Sequence, residues 1–175
     1  MKNLTTILTE EHQVILQVAD AMTRECRKIE QGEGLDKTFF DKAIDFIRNY
    51  ADKFHHAKEE NILFKEADNT QEAMHCDPRE QMLYEHDIGR DLVKNLEKAV
   101  EQGNKDEVIN NARGYADLIQ DHIFKEDNIL YPMLDTAIPD ERQQAMLKLA
   151  AQAEEEHFKG TKEKYLAIAE EFSKR

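Results

Sequence analysis

The stretch His55-His-Ala-Lys-Glu-Glu-Asn-Ile-Leu-Phe64 returns later in the chain as His122-Ile-Phe-Lys-Glu-Asp-Asn-Ile-Leu-Tyr131, with His, Lys, Glu, Asn, Ile and Leu at the same offsets. Each copy holds a histidine and a glutamate four residues apart, a spacing that puts both side chains on one face of a helix. A weaker echo relates Glu11-His12 to Glu85-His86. The chain thus reads as two copies of one helix pair: a helix with one inward histidine, then a helix carrying HxxxE.

Breaker signals on either side of the repeat set the helix limits. The first helix runs from Leu4 to Gln31 and stops at Gly32-Glu33-Gly34; the second starts at an Asp36 cap and continues to about Ala67. A polar loop, Asp68 to Cys76, precedes Asp77-Pro78, which opens a third helix with Asp as cap and Pro at the first helical position; it ends at Gly103. Asn104 with Glu107 resembles a capping box and starts the fourth helix, and Ile138-Pro139 separates it from a fifth segment with a bend at Gly160. Short connections force antiparallel neighbours. The expected fold is all-α: one domain over 1–175, an up-down-up-down four-helix bundle over about 4–134, and an additional C-terminal helix over about 139–173.

Composition agrees with long amphipathic helices: of 175 residues 35% are charged and 40% apolar, with 3 Pro and no Trp. A net charge of −13 repels phosphate backbones and anionic membrane surfaces, so nucleic acid and membrane are not expected partners. No apolar run is long enough for a membrane span, and Met1–Glu11 turns acidic before a signal-peptide core forms. Cys26 lies on an apolar stripe as a buried thiol and Cys76 in the polar loop, with no CxxC spacing. The expected location is the cytosol.

Helical period selects the inward histidines. The stripes are Leu8, His12, Ile15, Ala19, Met22, Cys26 and Ile29; Ile44, Ile47, Ala51, His55, Glu59 and Ile62; Met82, His86, Gly89, Val93, Leu96 and Val100; and Val108, Ala112, Tyr115, Ile119, His122, Glu126, Ile129 and Met133. An ionised glutamate alone in such a core costs several kcal/mol, on the order of the penalty for any buried unpaired charge. Cations that neutralise Glu59 and Glu126 and take the lone pairs of His12, His55, His86 and His122 remove that cost. Imidazole with carboxylate suits first-row metals, and a ligand set without Cys fits structural zinc poorly. Two metals bridged by both carboxylates and by an oxo or hydroxo group each receive about five ligands.

His56 and Glu60 also fit HxxxE. His56 shares its face with Asn49, Asp52, Lys53 and Glu60, a solvated set, and aligns with Ile123 in the repeat, so the register chosen is His55/Glu59. Beyond the six ligands, Tyr50, Tyr115, His157, His56 and Glu60 are second-layer candidates. His157, on a stripe with Met146, Leu149, Ala150 and Ala153, is placed as a cap on the bundle mouth. His75 reads as a surface residue.

The pattern His12, His55xxxGlu59, His86, His122xxxGlu126 resembles the hemerythrin-like (HHE cation-binding) family over at least residues 4–134. The resemblance implies a four-helix bundle around two non-haem irons, and a small diatomic ligand or peroxide as partner: O2, H2O2 or NO, for sensing, scavenging or detoxification. An electron donor or effector protein is a further expected partner. Oxygen-carrying members have five histidines, the fifth on the third helix four residues after the first, where this chain has Arg90; they also have HxxxxD where it has HxxxE. An open, reactive centre is therefore expected rather than an oxygen store. Reversible O2 binding and an iron-handling or iron-sulfur repair role, the latter associated with a cysteine pair not found here, are the alternatives. Ferritin-like centres use four carboxylates and two His, the opposite balance.

Overall fold

A computed structural model describes residues 2–69 and 78–175. The described chain forms helices α1 (Leu4–Glu30), α2 (37–67), α3 (Arg79–Gln102), α4 (105–137), α5 (Asp140–His157) and α6 (Thr161–Ser173). The Asp36 carboxylate accepts from the Phe39 amide at the start of α2, and Asn104 accepts from Glu107 at the start of α4. Both caps stand where the sequence puts them. The cap of α3 is Pro78 rather than Asp77, so Pro sits one place earlier than expected. Asp77, His75 and Cys76 lie outside the described residues.

Helices α1 to α4 form the bundle, α1 and α3 each packing along α4 and α2 along α3. One apolar cluster fills its far end, from Ile15 to Ile29 on α1 and from Phe39 to Phe54 on α2, with Val93 to Val100 and Val108 to Ile123 opposite. Cys26 is buried there, and burial pushes its thiol up to about 11. A second cluster of Leu4, Leu8, Leu63, Phe64, Leu130, Tyr131 and Leu134 fills the near end. The buried histidines His12, His55, His56, His86 and His122 lie in the layer between.

The C-terminal segment is two helices, not one. Gly160 has φ +77°, a left-handed conformation that breaks the helix instead of bending it. Helix α6 lays Tyr165, Ala169 and Phe172 into the far cluster, with Phe172 against Phe39 at 4.4 Å between ring centres. Helix α5 sets Met146 and Ala150 on the near cluster.

Three stretches of the described chain depart from the α-helical step. Residues Ile47–His56 and Glu59–Leu63 of α2 and Glu126–Leu130 of α4 have the wider turn of a π-helix, in which hydrogen bonds close five residues apart. Each π turn after a motif glutamate delays the inward phase by one residue. Leu63 and Leu130 are therefore fully buried, whereas Ile129, expected on the stripe, is 47% exposed.

Candidate metal centre

The six residues expected as ligands converge in the middle layer. His12, His55, His86, His122, Glu59 and Glu126 are each 3% exposed or less. They fall into two groups whose donor atoms lie within 4.8 Å of one another: His12, His55, Glu59 and Glu126 in one, and His86 and His122 in the other, joined there by His56. The carboxylates span both groups. Glu126 reaches His12 Nε2 at 3.2 Å with one oxygen and His122 Nε2 at 3.3 Å with the other. Glu59 faces His55 Nε2 and His86 Nε2, each at 3.6 Å, in the same divided way.

His56 corrects the expectation of a solvated side chain. It is 7% exposed and its ring stacks on His86 at 3.7 Å between centres. The cause is the π-helical stretch Ile47–His56: a wider turn lowers the angle between successive side chains, so His55 and His56 both face inward. His56 thus brings a fifth imidazole to the cluster, from α2 rather than from the α3 position that Arg90 occupies. Arg90 lies at the surface, paired to Asp52 at 2.8 Å and to Glu60 at 2.9 Å.

Every one of these histidines has a carboxylate on Nδ1: Asp127 on His12 at 2.9 Å, Glu11 on His55 at 2.9 Å, Asp52 on His56 at 3.3 Å, Glu60 on His86 at 2.8 Å and Glu85 on His122 at 2.9 Å. An ionised carboxylate only accepts, so Nδ1 carries the proton and the lone pair of a neutral ring stands on Nε2, facing the centre. This is the outer arrangement that orients metal-ligating imidazoles. Lys58 and Lys125, equivalent in the repeat, hold Glu11 and Glu85 in turn. Of the named second-layer candidates, Glu60 therefore has that place.

The others stand elsewhere. The Tyr50 hydroxyl is buried without a partner among the described residues, its ring between Phe46 and Phe54. Tyr115 lines a cavity of about 130 Å³ whose wall also includes Ile47, Ala51, Val93, His56, His86 and His122. His157 does not cap the bundle: its side chain is 69% exposed and the next residue, Phe158, turns in against Phe54 at 5.6 Å. Tyr131, absent from the expected set, is buried with its hydroxyl donating to Glu59 and 3.4 Å from His12 Nε2.

The electrostatics are those of a site built for cations. Glu59 Oε2 and both oxygens of Glu126 are buried with no hydrogen-bond partner among the described residues, and the His86 and His122 Nε2 atoms are 3.1 Å apart. Burial and the neighbouring Glu126 carry the Glu59 carboxyl well above its ordinary range. Despite burial, positive charge on His122 and His12 holds Glu126 well below it in the metal-free chain, a charge that metal ions take over once the rings are neutral. Burial takes His55 well below its usual value and brings His56 down to about 4. Converging lone pairs and unpartnered carboxylate oxygens in a dry core fit metal ions.

The fold and this cluster define a helical-bundle protein with a buried histidine-carboxylate metal site. The sequence matches the family model of the hemerythrin HHE cation-binding domain over residues 3–134, and the chain belongs to that family. No curated protein and no solved structure matches it. Among the described residues, no helix is long and apolar enough to cross a membrane.

Proposed function

We propose that the chain is a non-haem di-iron protein that binds and reacts with O2, H2O2 or NO, in sensing, scavenging or detoxification. The observation that carries this reading is the divided reach of Glu59 and Glu126, each with one oxygen toward either histidine group. His12 and His55 would hold one ion and His56, His86 and His122 the other, with Glu59 and Glu126 within reach of both groups. Iron in such a donor set supplies electrons and a Lewis-acid position for small oxygen or nitrogen ligands. The chain's own part is to keep five Nε2 lone pairs aimed inward and to exclude water. The 130 Å³ cavity, apolar at Ile47, Ala51 and Val93, gives a small neutral molecule a place beside the three-histidine group.

Metal analysis followed by anaerobic rapid mixing of the iron(II) form with O2, H2O2 and NO tests the reading. Two irons per chain and an optical change with at least one ligand are expected. Two irons with no change against any of the three would leave an iron-handling role. Absence of iron would end the di-iron reading.

A further inference from the structure

The two halves of the repeat differ at two positions that face the site, and the differences complement each other. The first half has His56 where the second has Ile123; the second has Tyr131 where the first has Phe64. His56 joins His86 and His122, giving that group three imidazoles, while the other group has two among the described residues, His12 and His55. The Tyr131 oxygen lies beside this poorer group, 3.4 Å from His12 Nε2 and bonded to the Glu59 oxygen that faces His55. Two donors on one ion at metal–ligand distances of roughly 2.0–2.2 Å and at right angles are about 3 Å apart. The hydroxyl therefore stands at the spacing of a neighbouring ligand.

The backbone explains how it gets there. The π turn Glu126–Leu130 makes the fifth residue after Glu126, not the fourth, return to the same side of the helix. The Tyr131 ring lies parallel to that of His12, at 10° and 5.5 Å between centres, which fixes its oxygen toward the centre.

Resting on the di-iron reading, we propose that Tyr131 supplies its phenolic oxygen as the third terminal ligand of the ion held by His12 and His55. The proton leaves to solvent on metal loading, as it does from other acidic ligands. Each ion then has three terminal protein ligands and shares Glu59 and Glu126. An external anion reaches the two-histidine ion only by displacing the phenolate.

Ferric phenolates absorb in the visible and show phenolate ring modes in resonance Raman spectra. The oxidised, iron-loaded chain is expected to show both, and Tyr131→Phe to lose both, while Tyr115→Phe keeps them. Azide is expected to bind Tyr131→Phe tighter by about tenfold or more, roughly 1.4 kcal/mol. Two irons per chain without phenolate modes in the unaltered protein would overturn the Tyr131 ligand and leave the di-iron reading standing. Persistence of the band in Tyr131→Phe would also overturn it. No bound iron would sink both. The Raman measurement on the unaltered chain decides the matter even where Tyr131→Phe does not fold.

Discussion

The two halves of the bundle use one set of parts differently. In the first half Glu11 on α1 holds His55 on α2, and Lys58 holds Glu11; in the second, Glu85 on α3 holds His122 on α4, and Lys125 holds Glu85. Across the halves, Glu60 holds His86 and Asp127 holds His12, again from equivalent positions. The repeated HxxKE-acid motif thus supplies, in sequence, an inward histidine, a clamp for the neighbouring helix, a carboxylate that faces both histidine groups and an orienting carboxylate. The difference is in the backbone before the motif: π-helical over Ile47–His56, α-helical over the matching part of Lys105–Lys125. One wider stretch turns His56 inward while leaving its counterpart, Ile123, in the apolar cluster. A duplicated pair of helices becomes an unequal pair of histidine groups by a change of helical pitch.

The likeness of the halves breaks most completely at the carboxylates both positions share. Glu59→Ala and Glu126→Ala are each expected to abolish tight binding of the pair, because each carboxylate faces both histidine groups. Metal content after gel filtration reads this, and two irons per chain retained in both variants would overturn the ligand assignment. A more selective loss is expected from His56→Ile, which copies the second half into the first. It removes a donor from one group only, so one of the two ions should weaken by more than the roughly 10–100-fold typical of losing an orienting partner. Equal weakening of both ions would show that His56 does not belong to one group.

Much of this was legible in the sequence, up to the points where helical pitch changes. The stripes on α1 and α3 are buried throughout, from Leu8 to Ile29 and from Met82 to Val100, since both helices are α-helical along their length. On α2 and α4 the same period fails after Glu59 and Glu126. It selects Ile129 and misses Leu130 and Tyr131, because a π turn intervenes that a constant step of about 100° per residue does not contain. His56 was misplaced for the same reason. The repeat itself held a signal: Lys58 with Lys125, and Glu60 with Asp127, recur at fixed offsets although neither pair lies on an apolar stripe. Their partners are on neighbouring helices, so helical period alone does not find them. The expected role of His157 failed because α5 buries only a narrow edge, Gln143, Met146 and Ala150, and leaves Leu149 53% exposed.

A finer comparison concerns the orienting carboxylates. Glu11→Gln and Glu85→Gln keep shape and remove charge from equivalent places, so each should lower metal affinity by about 10–100-fold. Competition with a chelator measures it, and an effect in only one half would mean that the halves are not equivalent at this layer.

The smallest difference separates the two lysines. Lys58 is 2% exposed, bonded to Glu11 and also to Glu154 of α5 at 2.9 Å, with its ammonium 3.5 Å from the centre of the Phe54 ring. Lys125 makes the same clamp on Glu85 but is 34% exposed. Removing one member of a buried pair costs about 3–5 kcal/mol, whereas an exposed pair is worth about 0–1 kcal/mol. Lys58→Met in the metal-free protein is expected near the lower end, about 3 kcal/mol, because burial brings the Glu11 carboxyl up to about 7 and lets it become neutral at modest cost. Lys125→Met should fall under about 1 kcal/mol. Urea unfolding of both variants reads the contrast. Equal costs would mean that α5, through Glu154, adds nothing to the clamp, and that the extra helix covers the near cluster without bracing the centre.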